Sequence, residues 1–170
     1  GVNDANWGLG ASFADIDNDG DQDLFVSNYI GGNNLYLNDG AGVFAKGTHK
    51  IAGEEGWGKG PTFGDVDNDG DLDLYVINWG AENKLYKNTQ NDGNFVKIVC
   101  LRVGAKVALY DGDSLVATRE VKSATGFCAQ QPAVAHFGVK AGKAYTAIVT
   151  LPGGESASVK VKAGQVVNMK

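Results

Sequence analysis

The strongest constraint in this chain is an internal repeat that fills its first half. Residues 7–28 return as residues 57–78 with few changes, so the offset between the two copies is 50 residues. The match continues from 34–38 into 84–88, where Asn-Leu-Tyr-Leu-Asn becomes Lys-Leu-Tyr-Lys-Asn. A period of about 50 residues with several short strands in each copy is typical of propeller blades and related β arrays.

Short strands rather than helices are predicted throughout the chain. Gly accounts for 25 of the 170 residues and separates short runs rich in Val, Ile, Tyr and Phe, a pattern that favours strands joined by turns. No window repeats apolar residues at the spacing of a helix. We therefore predict an all-β fold of propeller-blade-like repeats, in which Phe44 and Phe95 close the first and second copies.

Each copy contains a nine-residue acidic loop with the pattern Asp-x-Asp-x-Asp-Gly-x-x-Asp. Calcium binds about 6–8 oxygen ligands, and alternate carboxylates on a tightly curved loop can converge on one ion. The glycine at the sixth position allows the sharp turn, and the seventh residue is predicted to offer its backbone carbonyl while its side chain faces outward. The predicted metal residues are Asp15, Asp17, Asp19, Asp21 and Asp23 in the first loop and Asp65, Asp67, Asp69, Asp71 and Asp73 in the second.

The distribution of charge favours a metal ion in each loop. Ten of the twenty acidic residues lie in the two loops, and the formal net charge of the chain is −5. Carboxylates packed this closely repel one another unless a counter-ion is present, and two divalent ions would change the net charge to −5 + 4 = −1. The alternative is a solvated Asp/Asn/Gly turn. We predict two Ca²⁺ sites, because Mg²⁺ prefers fewer protein ligands and more water.

The acidic loops differ from an EF-hand. An EF-hand loop needs a bidentate Glu at its twelfth position, whereas the twelfth position here is Val26 or Val76. Each loop is therefore predicted to close at its ninth residue and to continue into a strand.

The composition argues against several classes of function. No basic stripe is present that could neutralise phosphates, which argues against a nucleic-acid partner, and no run of 18 apolar residues could span a membrane. The only histidines, His49 and His136, have no nucleophile or carboxylate partner nearby in the sequence. We therefore predict that the protein is not an enzyme.

The character of the chain changes near residues 92–96, beyond which Asp is rare and Val, Ala and Lys are common. We predict two domains, of which the second is a small β-sandwich-like domain. Their predicted limits are 1–94, with repeats at about 7–45 and 57–95, and 95–170.

Cys100 and Cys128 are the only cysteines. Two cysteines on separate strands of a secreted β domain can form a disulfide, and two buried free thiols are the alternative. A redox-active pair is not predicted, because the chain has no Cys-x-x-Cys motif.

The acidic loops and their flanking strands resemble a known repeat. The first copy reads Phe-Ala-Asp-Ile-Asp-Asn-Asp-Gly-Asp-Gln-Asp-Leu-Phe-Val from Phe13, and the second reads Phe-Gly-Asp-Val-Asp-Asn-Asp-Gly-Asp-Leu-Asp-Leu-Tyr-Val from Phe63. These segments resemble the FG-GAP repeat, also called the VCBS repeat, of integrin-type β-propellers. The resemblance covers residues 7–95 and implies blades whose loops bind calcium between strands.

The second half carries a different resemblance. Its motifs are Gly-Ala-Lys-Val from Gly104, Thr-Arg-Glu-Val from Thr118, Gly-Phe-Cys-Ala-Gln from Gly126, His-Phe-Gly-Val from His136 and Leu-Pro-Gly-Gly from Leu151. In order and spacing they resemble the ASPIC/UnbV domain, which often follows such repeats in secreted proteins related to cartilage acidic protein. The resemblance implies an extracellular location and no defined reaction.

Two repeats cannot close a ring, since propellers have about 4–8 blades. At least one blade edge is then open, and open edges invite pairing with another chain. We expect an extracellular calcium-binding structural or adhesion module that self-associates as a homo-oligomer, polymer or filament. The alternatives are a carbohydrate- or protein-binding module of a larger secreted protein, with Trp79 as the candidate sugar-stacking residue, and a scaffold fragment of an enzyme.

Overall fold

The prediction of an all-β fold is confirmed. The computed structural model describes residues 1–48, 57–90, 92–124 and 129–169, and every regular element in these ranges is a β-strand. Within the same ranges, no helix is long and apolar enough to cross a membrane. The strands are β1 Trp7–Ala14, β2 Asp23–Ile30, β3 Asn34–Asn38, β4 Phe44–Lys46, β5 Gly58–Gly64, β6 Asp73–Asn78, β7 Lys84–Tyr86, β8 Phe95–Cys100, β9 Lys106–Asp111, β10 Ser114–Glu120, β11 Val134–Gly138, β12 Ala144–Thr150, β13 Ser156–Lys162 and β14 Gln165–Met169.

The two repeats form two antiparallel sheets, which we call the first blade (β1-β2-β3-β4) and the second blade (β5-β6-β7). In each blade the first strand leads into the acidic loop and the second strand leaves it. Successive side chains of a strand point to opposite faces of its sheet, and directly opposed residues of neighbouring strands share a face. The registers of the two blades match: Ser12, Phe25 and Leu35 are aligned in the first blade, as are Thr62, Tyr75 and Leu85 in the second.

One face of the first blade packs on one face of the second. Phe25 and Leu35 are 0% and 1% exposed on the first side of this interface, and Phe63 and Leu74 are 4% and 3% exposed on the other. The rings of Phe25 and Phe63 meet edge to face, with centroids 6.5 Å apart. Burial of one large apolar side chain contributes about 1.5–3 kcal/mol, so this interface stabilises the blade pair substantially.

The chain beyond the blades forms two sheets around a second core. One sheet has the strand order β11-β8-β14 and the other β10-β9-β12-β13. Buried side chains from both sheets form a single cluster that includes Ile98, Leu109, Phe137 and Ala147. Two sheets that enclose one core in this way form a β-sandwich.

Phe95 does not close the second repeat, contrary to the sequence-based expectation. It begins β8, which pairs with β11 and β14, so among the described residues the second blade has three strands where the first has four. The physical reason is that β8 is buried on both faces: Val96 and Ile98 enter the sandwich core, whereas Lys97 faces the second acidic loop, where it pairs with Asp65. The division into 1–94 and 95–170 stays a prediction.

Candidate metal centres

The two acidic loops share one backbone conformation. Asn18 and Asn68 have φ values of 57° and 64°, and Gly20 and Gly70 have φ values of 105° and 109°. Asn and Gly adopt positive φ more readily than other residues do. The shape of each loop is therefore a local consequence of its Asn-Asp-Gly sequence.

Carboxylates converge in both loops. Mutually close oxygen atoms, within 4.8 Å of one another, belong to Asp15, Asp17 and Asp19 in the first loop and to Asp65, Asp67 and Asp73 in the second. The other four predicted ligands, Asp21, Asp23, Asp69 and Asp71, lie outside these two groups.

Several of these carboxylate oxygens are buried and have no hydrogen-bond partner among the described residues. They are Oδ1 of Asp15, Asp17 and Asp65. A buried anionic oxygen without a partner is costly, and hard cations such as calcium take oxygen ligands. The residues present therefore fit a calcium ion in each loop.

The ninth residue of each loop holds the loop backbone in place. In the first loop, Asp23 Oδ2 accepts a hydrogen bond from the amide of Ile16 at 3.1 Å, and Oδ1 accepts one from the amide of Asn38 at 2.9 Å. The corresponding bonds to Asp73 measure 2.8 and 2.9 Å. The ninth carboxylate thus ties the loop to the end of the third strand, a role that the ligand pattern did not predict.

The seventh position differs between the loops. Its side chain was predicted to face outward, but Asp71 is only 1% exposed, and Asn18 of the first loop donates to its Oδ1 at 2.8 Å. The prediction is wrong for Asp71 because the first loop packs against it. Gln90, beyond the second blade, similarly donates to the carbonyl of Asp17 at 2.6 Å, so each blade helps to hold the other blade's loop.

The second domain also contacts the first loop. The amide of Gly138 donates to Asp15 Oδ2 at 2.6 Å. Nη2 of Arg119 donates to the carbonyl of Gly20 at 3.3 Å and lies 4.0 Å from Asp15 Oδ2. A neutral amide and a more distant guanidinium therefore face the first carboxylate of this loop.

The second loop meets the same domain through different groups. The Lys97 ammonium pairs with Asp65 Oδ2, and Nε2–H of His136 donates to the carbonyl of Gly70 at 2.9 Å. A side chain at position 70 would overlap the ring of Phe95, which stacks on His136. Glycine is thus required at this position by packing as well as by its positive φ.

Burial shapes the charge state of these groups. Desolvation raises the pKa of Asp15 to about 7 and that of Asp23 to about 6, because the ionised carboxylate loses water. Desolvation lowers the pKa of His136 to about 4 and also lowers the pKa of Lys97. Near neutral pH, His136 is therefore a neutral hydrogen-bond donor. A positive charge bound in the first loop would stabilise the ionised forms of Asp15 and Asp23.

These groups line one cleft between the blades and the second domain. Its volume is about 760 Å³, and its lining includes Asp15, Asp65, Lys97, Arg119 and His136. Sequence reasoning did not connect Lys97 or Arg119 with the loops, since they lie 32 and 99 positions from Asp65 and Gly20. No local motif carries a signal for contacts at such separations.

The remaining sequence candidates have mixed outcomes. Trp79 is 56% exposed, and Lys59 Nζ lies 3.3 Å from the centroid of its ring, so one ring face is covered. Cys100 is buried and has no disulfide partner among the described residues. Cys128 and His49 lie outside the described residues, so the disulfide stays a prediction.

The fold and its loops define a class of β protein in which blades with acidic loops pack on a β-sandwich. A family model described as an FG-GAP-like repeat matches residues 15–76, and one described as ASPIC and UnbV matches residues 101–170. The chain therefore carries an FG-GAP-like repeat region followed by an ASPIC and UnbV domain, and both resemblances are confirmed. A search of curated proteins found no match to the chain.

These two families indicate an adhesion-type or propeller module. FG-GAP repeats are typically extracellular, typically bind calcium and serve as protein-interaction modules. The acidic clusters expected of such repeats are present in both blades.

Proposed function

We propose that this protein is an extracellular calcium-binding structural or adhesion module, that it is not an enzyme, and that its copies associate with one another. The observation that carries the proposal is the burial of Oδ1 of Asp15, Asp17 and Asp65 in the two loops, with no hydrogen-bond partner among the described residues. One calcium ion in each loop would supply positive charge and a partner for these oxygens.

The chain's own residues prepare both sites. Asn18 and Gly20 set the turn of the first loop, Asp23 anchors it to the third strand, and the amide of Gly138 orients Asp15. Extracellular calcium suits sites with dissociation constants of about 10⁻⁴–10⁻³ M. At tenfold excess over such a constant, each site adds about 1.4 kcal/mol to the free energy of unfolding.

Calorimetric titration and thermal unfolding test the calcium sites. We expect two bound calcium ions per chain and a clearly lower melting temperature in EDTA than in calcium. Asp17→Asn and Asp67→Asn should each remove one site, whereas Asp113→Asn, an exposed change in the second domain, should remove none. A melting curve that is the same in calcium and in EDTA would contradict the proposal.

Self-association is proposed through open β edges. No strand among the described residues pairs with the outer side of β7, although β4 covers the corresponding side of β3 in the first blade. Exposed edges readily pair with another chain. Sedimentation velocity in calcium over a concentration series should show particles larger than one chain, and a monomer at every concentration would reject association.

The non-enzymatic part of the proposal is supported by the setting of His136. Burial keeps this side chain neutral, and its Nε2–H is committed to the carbonyl of Gly70. Such an arrangement suits a structural contact between the second domain and the loop better than proton transfer. Screening against hydrolase substrates tests it: turnover that the His136→Gln variant loses would overturn it.

A second candidate function is binding of a carbohydrate or protein ligand around Trp79. The observation that favours it is the 56% exposure of this side chain, held from one side by Lys59. Aromatic side chains with one free face suit such contacts. Binding on a glycan or protein array that Trp79→Ala abolishes would support it, and an array without signal would count against it.

A further inference from the structure

Each blade has two faces, which the repeat allows us to compare position by position. We call the front face the side that carries Ser12, Phe25 and Leu35 in the first blade and Thr62, Tyr75 and Leu85 in the second. We call the back face the opposite side, which carries Phe13, Leu24 and Tyr36 in the first blade and Phe63, Leu74 and Tyr86 in the second.

Inside the molecule, the front face of the first blade packs on the back face of the second. Phe25 and Leu35 are 0% and 1% exposed, and Phe63 is 4% exposed. The edge-to-face contact between Phe25 and Phe63 lies in this interface. The two blades of one chain thus already form one front-to-back interface.

Among the described residues, the other two faces are covered less completely: Tyr36 on the back of the first blade is only 2% exposed, but apolar side chains on both faces remain open to solvent. On the front of the second blade, Tyr75 and Leu85 are 38% and 54% exposed, although they occupy the positions of the fully buried Phe25 and Leu35. On the back of the first blade, Phe13 is 50% exposed, although its equivalent Phe63 is buried. One chain therefore presents the front half of the interface that it already forms once internally, together with the loop end of the back half, around Phe13.

We propose that the front face of the second blade binds the back face of the first blade of another copy of this chain. Tyr75 then takes the place of Phe25, and Phe13 takes the place of Phe63. This inference rests on the proposed self-association and assigns the contact to blade faces. The open β7 edge is then the competing contact, through which both face variants would still assemble. The contact joins two different surfaces, so copies add head to tail into a ring or a filament.

The local shape of both faces suits this contact. A shallow groove of about 380 Å³ runs along the front of the second blade, lined by Tyr75 and Leu85 and bordered by Pro132 of the second domain. The exposed part of the first blade's back face lies at its loop end, around Phe13, which also contacts Phe44. Phe13 lies two residues before the first acidic loop and Tyr75 two residues after the second. Both side chains therefore lie at the loop end of their blades, so the two surfaces can meet without a shift along the strands.

The experiment uses two variants that each remove one face. Tyr75→Glu places a charge on the front face of the second blade, and Phe13→Glu places one on the back face of the first. Each variant, at a concentration where the unchanged protein assembles in calcium, should sediment as a monomer. An equimolar mixture should give dimers and nothing larger, because the Phe13→Glu chain keeps an intact front face and the Tyr75→Glu chain keeps an intact back face.

Matched controls separate this contact from general effects. Leu115→Glu changes an exposed apolar side chain of the second domain, 57% exposed on β10, and should assemble like the unchanged protein. Circular dichroism and calcium titration report whether each variant is folded. If Tyr75→Glu does not fold, Leu85→Glu on the same face replaces it.

The outcomes distinguish this inference from the proposed function. If the unchanged protein assembles and both single variants assemble equally well, the face assignment is wrong while self-association stands. If the single variants are monomeric but their equimolar mixture gives no dimer, the two faces do not bind each other and the head-to-tail contact is rejected. If the unchanged protein is monomeric at every concentration in calcium, self-association and this inference fail together.

Discussion

The two acidic loops are nearly identical in sequence but differ in their surroundings. The first carboxylate of the first loop, Asp15, receives the Gly138 amide and has Arg119 at 4.0 Å, whereas that of the second, Asp65, pairs with the Lys97 ammonium. Lys87 adds a further positive charge by pairing with Asp67, at a position where the first repeat has Leu37. The same local motif therefore faces a neutral amide and a more distant guanidinium in the first blade, and two paired ammonium groups in the second.

The largest expected difference between the loops is the effect of removing their first carboxylate in EDTA. Asp65→Asn leaves Lys97 buried without its partner and should reduce the free energy of unfolding by on the order of 3 kcal/mol. Asp15→Asn should be neutral or slightly stabilising at pH 7.5, because burial already disfavours the ionised carboxylate and an amide oxygen still accepts from Gly138. Urea unfolding measures both values.

A double variant tests the cause of that difference. Lys97→Met should recover most of the stability lost in Asp65→Asn, since it removes the unpaired buried charge. Equal losses from the two Asn variants, or no recovery in the double variant, would show that the loops do not differ in this way.

The next difference is in pH dependence. His136, which contacts the second loop, has a folded pKa of about 4, below the unfolded value of about 6.5. Between these values the unfolded chain binds a proton that the folded chain does not, so stability falls as pH falls from about 6.5 to about 4, by on the order of 2–3 kcal/mol. Arg119, which contacts the first loop, stays charged over this range.

His136→Gln isolates this contribution in unfolding experiments between pH 4 and pH 7. Gln still donates to the carbonyl of Gly70 but does not titrate, so the variant should lose less stability on acidification than the unchanged protein. The carboxylates titrate in both proteins and cancel in the comparison. Parallel stability curves for the two proteins would contradict the assignment.

A smaller difference is expected in calcium affinity. The first loop should bind more tightly, because Lys97 and Lys87 oppose a cation in the second. Lys97→Met should tighten the weaker site roughly tenfold, which equals about 1.4 kcal/mol. Calorimetric titration measures both calcium affinities. The control is Lys143→Met, which removes an exposed ion pair with Asp111 in the second domain. Weaker calcium binding at either site in Lys97→Met would contradict competition between the lysines and calcium.

The smallest difference concerns the left-handed asparagines. Asn18→Gly keeps the backbone conformation but removes the hydrogen bond to buried Asp71, and should cost about 1 kcal/mol. Asn68→Gly, at the equivalent exposed position, should change stability by a few tenths of a kcal/mol. Chemical unfolding of both variants checks this, and a larger loss at position 68 would reverse the comparison.

Local patterns were sufficient for much of this structure. The nine-residue loops, their positive-φ turns and the strands that flank them follow from residues adjacent in sequence, which is why both the loops and the two families were predicted. The errors arose where distant segments meet. The prediction assigns Phe95 to the second blade, but Phe95 begins β8, which lies between β11 and β14 in a sheet of the second domain. The prediction also turns the Asp71 side chain outward, but Asn18 of the other loop packs on it.

Sequence patterns alone predict the all-β class, the two acidic loops, their closure at the ninth residue and the change of character near residues 92–96. These depend on backbone preferences and on the alternation of side chains, which act over a few residues. Packing in the folded chain selects which cation or amide faces each loop, and which blade faces are covered. Those features depend on contacts such as Gly138 with Asp15, 123 positions apart, where packing of whole sheets and not local preference selects the partner.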